Sequence, residues 1–194
     1  MKGCRALTPI EVEKVLESFA GENRLRDRCL FLLGTKSGFR ISELLSLTIG
    51  DLVQNGQVAD RVGVARKYMK LKSEGRCVVL HPVAKAAIAE RISELKAQGQ
   101  DKPETYLFQS QRGQNMPLGR IGAWCLLKKA YRSLGLTGKC ATHSMRKTFA
   151  DRIYTKLAFD LVKTQRALGH RSAQSTLSYL SFKEEEVEAA ILSI

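Results

Sequence analysis

Metal and nucleotide signatures are absent from this chain of 194 residues. It has no C-x-x-C pair, no H-E-x-x-H, no G-x-x-x-x-G-K loop and no carboxylate cluster placed for Mg²⁺. It has three histidines, and His81 reads as a loop residue before Pro82. No zinc site or other cofactor is therefore expected. The five cysteines, Cys4, Cys29, Cys77, Cys125 and Cys140, are odd in number and unpatterned, which suits reduced thiols in a reducing compartment. The opening MKGCRALTPIEVEKV lacks an apolar signal core, and the longest apolar run, CLFLL, is far too short to cross a bilayer. A cytoplasmic protein without a membrane partner is expected. Internal repeats and low-complexity segments are missing too. Acidic residues are scarce: 19 Asp+Glu stand against 32 Lys+Arg, a formal charge of +13. A folded domain this basic meets a polyanion, and nucleic acid is the commonest one.

Hydrophobic residues make up 44% of the chain, enough for one domain with a real core. Thr8-Pro9-Ile10-Glu11 reads as a helix start, and Val12, Val15, Leu16 and Phe19 follow at helical spacing. A second helix is predicted over about Asn23–Thr35, broken by Gly38, with a short restart over Ser42–Leu47. The period then changes. Val58–Met69 and Arg76–Leu80 read as extended, joined by LKSEG into an antiparallel hairpin. Helix returns from His81-Pro82 through AKAAIAERISELKAQ; YLF reads as a short strand between the turns GQDKPE and QRGQNMP. Helices are expected over Leu118–Leu134, His143–Lys156, Asp160–Leu168, Ser172–Leu180 and Glu184–Ile194. The fold class is mainly α (α+β), with a small antiparallel sheet on one side.

Charge is clustered. Residues 120–152 carry Arg120, Lys128, Lys129, Arg132, Lys139, Arg146, Lys147 and Arg152 against Asp151 alone. The hairpin carries Arg61, Arg66, Lys67, Lys70, Lys72 and Arg76 against Asp60 and Glu74. Such clusters suit phosphate contacts, and Arg66, Lys67, Lys70, Arg76 and Lys147 are the candidate DNA-binding side chains. Three short pieces bear on chemistry. In SGFRISELLSLTIGDL, Arg40 follows a glycine-bearing helix end. In THSMRKTFADRIY, His143 and Arg146 lie three apart on one helix face. In LGHRSAQSTLSYLSF, Tyr179 stands nine residues after His170. Arginines supply planar bidentate donors to phosphate oxygens, while strand cleavage also needs a nucleophile and a proton donor.

In this order, from LTPIEVEKVL to YLSF, these pieces resemble the tyrosine recombinase (phage integrase) family. The resemblance implies a helical catalytic domain that cuts and rejoins double-stranded DNA through a 3′-phosphotyrosine, without metal or ATP. Arg40 and Arg146 look like the arginines that clamp the scissile phosphate. His143 resembles the family's first histidine, which handles protons, and His170 the second, which bonds the phosphate. Lys72, with Lys70 as the alternative, would be the general acid toward the leaving 5′ oxygen. Glu43 looks like the carboxylate supporting the active-site floor, and Tyr179 the nucleophile. A tyrosine hydroxyl has a pKa of about 10 and needs such a cationic pocket to attack as phenolate.

Further expectations come with the resemblance. Residues 1–183 form the catalytic domain, and only six residues precede LTPIEVEKVL, so no N-terminal DNA-gripping domain is expected. Residues 184–194 form an acidic tail whose Val187, Ala190, Ile191 and Ile194 make an apolar stripe that docks on its own domain or in trans. A homo-oligomer is implied: a tetramer on synapsed DNA, a monomer or weak dimer in solution, acting at the nucleoid. Two other readings stay open, a type IB topoisomerase-like enzyme that relaxes DNA and a non-catalytic DNA-binding module of the same fold.

Overall fold

The computed structural model describes residues 3–64, 76–181, 188 and 191–194. The chain divides into two compact units, Met1–Phe149 and Ala150–Ile194.

In the first unit, α1 (Pro9–Ser18) starts as the sequence predicts. The Thr8 hydroxyl accepts from the Glu11 N–H at 3.2 Å, and the Glu11 carboxylate accepts from the Thr8 N–H at 2.8 Å. Arg5 also donates to Glu11, and this hydrogen bond, more than any other cause, pulls the Glu11 carboxyl down to about 2. Helix α2 (Arg24–Lys36) buries Cys29 through Thr35 without a break, so it is the central helix, enclosed on all sides. Short helices α3 (Ile41–Leu44) and α4 (Ile49–Leu52) follow. α5 (Pro82–Ala97) packs on α2 through Ala84, Ile88, Ile92 and Leu95, spaced three and four apart. α6 (Arg120–Ser133) closes the core with Ala123, Leu127, Ala130 and Tyr131.

Two two-stranded antiparallel sheets are present among the described residues. Strands β1 (Val53–Gln54) and β2 (Gln57–Val58) join through Asn55 and Gly56, with φ of 50° and 76°. Both central residues have positive φ, the condition for the tight turn that an Asn-Gly pair favours. Val58 therefore pairs with Val53 and is not part of the basic hairpin. That hairpin is β3 (Arg61–Val64) with β4 (Arg76–Val79), registered Val62 to Val78 and Gly63 to Cys77. The predicted YLF strand is reduced to an isolated bridge between Thr48 and Tyr106.

His81 is not a plain loop residue. Its Nδ1 accepts from the Val83 N–H at 3.2 Å and caps α5. Desolvation, then the Lys36 charge, lowers its pKa below the ordinary histidine value. A histidine with a lowered folded pKa contributes stability that is complete above about 6.5 and lost as pH falls through the folded value. His81→Asn keeps a capping acceptor that does not titrate. Urea midpoints of the parent chain should therefore drop relative to His81→Asn as pH goes from about 7 to about 5. Parallel curves would remove His81 as the cause.

Helix α7 (Thr142–Lys156) is shared between the two units. The second unit continues with α8 (Leu161–Leu168) and α9 (Ala173–Leu177). Asp160 caps α8, accepting from the Lys163 N–H at 2.8 Å, and Gly169 ends it in the left-handed conformation at φ 62°. The Ser172–Leu180 helix of the sequence reading is shorter in the structure, and Tyr179 stands in the turn just past α9.

Candidate active site

Site residues of the first unit gather where the turn after α2 meets α7. Gly38 has φ +62°, and a Cβ there would lie 2.3 Å from the Phe149 ring. Glycine thus meets two demands at once, the backbone sign and the close approach to α7. The Gly38 carbonyl accepts a hydrogen bond from Nη1 of Arg146, which is 2% exposed. This ties Arg146 on α7 to the turn that presents Arg40 two residues later. Arg40 itself is held by Glu43, which is fully buried. Oε2 of Glu43 accepts from the Arg40 N–H at 2.7 Å and Oε1 from Arg40 Nη1 at 2.8 Å. One carboxylate thereby fixes both the main chain and the guanidinium of Arg40, whose side chain is 34% exposed.

His143 is exposed on the first turn of α7 and Lys147 is half-buried one turn later. Partial desolvation of the ring lowers the His143 pKa below the ordinary value, and the charges of Arg146, Arg120 and Lys147 add to that effect. Near neutral pH the imidazole is uncharged and can take a proton. The sequence pointed to Arg40, Glu43, His143 and Arg146, and the structure brings them to this one region. It did not point to the Gly38 carbonyl.

The second unit holds His170 and Tyr179 together, with ring centroids 5.0 Å apart and planes tilted by 48°. Gln165 brackets the Gly-His turn: its carbonyl accepts from the His170 N–H and its Nε2 donates to the His170 carbonyl, both at 3.1 Å. His170 Nδ1 lies 3.1 Å from Oγ1 of the buried Thr176. The Thr176 carbonyl in turn accepts from the Tyr179 N–H at 2.9 Å. Past the tyrosine, the Asp151 carboxylate accepts from both the N–H and the hydroxyl of Ser181, at 3.0 and 2.9 Å. Sequence reading missed Gln165, Thr176 and Asp151. Only Thr176, three before Tyr179, carried a spacing signal.

Of the remaining candidates, Arg76 opens β4 opposite Val64. Arg66, Lys67, Lys70 and Lys72 lie outside the described residues.

The family model described as "Phage integrase family" matches residues 5–186. The chain belongs to the phage integrase family. Among members, the Bacillus subtilis protein "Probable integrase/recombinase YoeC" is 31% identical over 180 residues, covering 93% of this chain and 90% of that protein. Tyrosine recombinase XerC of Roseiflexus sp. (strain RS-1) is 31% identical over 181 residues, and there the match spans 54% of the relative. In structure, the chain superposes on XerH site-specific recombinase, solved in a post-cleavage complex with palindromic difH substrate. The TM-score is 0.74 at 26% identity, over 96% of this chain and 51% of that one. The chain thus spans about half the length of the XerC and XerH relatives and nearly all of the YoeC one. Its fold is that of a tyrosine recombinase catalytic domain. No helix among the described residues is long and apolar enough to cross a membrane.

Proposed function

We propose that this chain cuts and rejoins double-stranded DNA at defined sites through a 3′-phosphotyrosine formed on Tyr179. The observation that carries the proposal is the pairing of the Tyr179 and His170 rings at 5.0 Å in a member of this family. Arg40 and Arg146 bind the non-bridging oxygens of the scissile phosphate. Tyr179 Oη attacks phosphorus, its proton passes to the neutral His143, and the bond to the 5′ oxygen breaks. That oxygen leaves with a proton from the hairpin lysine, Lys72 or in its place Lys70. His170, its Nδ1 occupied by the Thr176 hydroxyl, donates from Nε2 to the phosphate as charge builds there. The phosphotyrosine stores the energy of the broken bond, so a 5′ hydroxyl can reverse the step without ATP. Fixed cations meet the developing charge, and no metal is required by the scheme. Removing one such donor typically costs about 10²–10³ in rate.

Nicked duplexes spanning candidate sites test this, because the cut fragment diffuses away and traps the adduct. A band surviving denaturation and heavier by one protein mass is the expected result. Retardation in a native gel with no adduct on any duplex and no relaxation of supercoiled plasmid would defeat the proposal.

The tail extends the scheme to assembly. Ile191 and Leu192 are 63% and 87% exposed. On an acidic segment this apolar surface supports docking onto a second copy during a tetrameric synapse at the nucleoid. Deleting residues 184–194 should weaken synapsis more than simple DNA binding; equal loss of both would count against it.

A further inference from the structure

One apolar surface of the first unit has no role in the scheme above. Ile121 is 79% exposed and Trp124 46% exposed, three apart on one face of α6, while Ala123 and Leu127 are buried on the other. A single exposed apolar residue needs no explanation. These two, however, line a common depression of about 600 Å³ together with Ile41, Gly119, Arg120 and Thr142. Its place in the fold is specific. Ile41 directly follows Arg40 in the chain, and Thr142 directly precedes His143. The depression is therefore walled by the residues next to two of the phosphate-handling groups. The Arg120 charge is felt at the His143 ring, which sets this rim and the candidate phosphate site within one electrostatic neighbourhood.

We infer, given the DNA reading above, that this depression reads a thymine methyl next to the scissile phosphate, with Ile121 and Trp124 as specificity-determining side chains. Arg120 seats the strand. The occupant follows from chemistry. Among the described residues that line it, none carries a carboxylate and the one charge is cationic, which suits a polyanion. The walls are mainly apolar, whereas base edges present donors and acceptors almost everywhere. In the major groove the thymine C5-methyl is the apolar exception, and apolar side chains are its usual partners. The groove is wide enough to admit a helix such as α6.

Fluorescence anisotropy on short labelled duplexes isolates that methyl. The probes are alternating dA/dT, the same duplex with deoxyuridine for thymidine, and alternating dG/dC with and without 5-methylation of cytosine. The parent chain should bind the thymine duplex about fourfold more tightly than the uracil one, the worth of one methyl group removed from water. It should favour the methylated dG/dC duplex in the same sense. In Ile121→Ser and in Trp124→Ala the thymine-to-uracil ratio should fall to about one, with the salt dependence, set by phosphate contacts, unchanged. Exposure of both side chains keeps the fold out of question, which circular dichroism checks. Equal binding of thymine and uracil duplexes by the parent chain overturns the inference, as does a ratio that survives in both variants. So does a change in self-association in place of the ratio, which would make the depression a protein contact. Failure to bind any duplex would strike the DNA reading itself.

Discussion

Tyr179→Phe should bind DNA as tightly as the parent chain and form no covalent adduct. The change removes one oxygen and keeps the main-chain supports of the turn. The main-chain bond from residue 179 to the Thr176 carbonyl does not involve the side chain. Asp151 still holds Ser181, and the ring still packs against His170. Stability should change by no more than about 1.5 kcal/mol, the net worth of one hydrogen bond. Chemistry is another matter, because the nucleophile is the atom removed. Catalytic groups that act as a unit give losses of at least about 10⁴ when one is deleted, so the adduct should fall below detection. Other hydroxyls are poor substitutes. Tyr131 is buried and Tyr154 stacks edge-on against Phe159 at 5.4 Å. The Ser181 hydroxyl lies nearby but donates to Asp151. An adduct persisting in Tyr179→Phe would place the nucleophile elsewhere, and Ser181→Ala would be the next variant to make.

The sequence made the local chemistry legible and left the long-range supports hidden. Arg40 and Glu43 are three apart on a turn, and His143 and Arg146 three apart on a helix, so spacing alone brings each pair together. The start of α1 could be read from Thr8, Pro9 and Glu11 because its hydrogen bonds run between near neighbours. By contrast, Asp151 and Ser181 are separated by 30 residues, and Arg146 and Gly38 by 108. No periodicity marks such pairs; only the packed fold brings them together. Gly38 was legible as a helix breaker, but its closeness to Phe149 was not. His81 was misjudged because histidine is outside the usual set of capping residues. Asn55-Gly56 is a different kind of miss. The pair is a strong local turn signal that went unused, so Val58, which pairs with Val53 across that turn, was assigned to the longer extended run instead.

Glu43→Gln is the second variant with a large expected effect, and its reason lies in the number of oxygens. The carboxylate uses Oε2 for the Arg40 N–H and Oε1 for the Arg40 guanidinium. Glutamine has one acceptor oxygen, so its amide N–H₂ must face one of these two donors. With Glu43 fully buried, water cannot relieve the mismatch. The lost charge-assisted bond should cost about 1.5–3 kcal/mol of stability, read as a lower urea midpoint. Strand cleavage should fall about 10²-fold, because an arginine aimed loosely at the phosphate loses much of its value as a fixed donor. General destabilisation could also slow the enzyme, and a double-mutant cycle separates the two causes. In an Arg40→Ala background there is no guanidinium left to aim, so adding Glu43→Gln should lower the residual cleavage rate by no more than about threefold. Its effect on the urea midpoint, which includes the main-chain bond, should persist in part. A full 10²-fold loss in both backgrounds would mean that Glu43 acts on the reaction by some route other than Arg40.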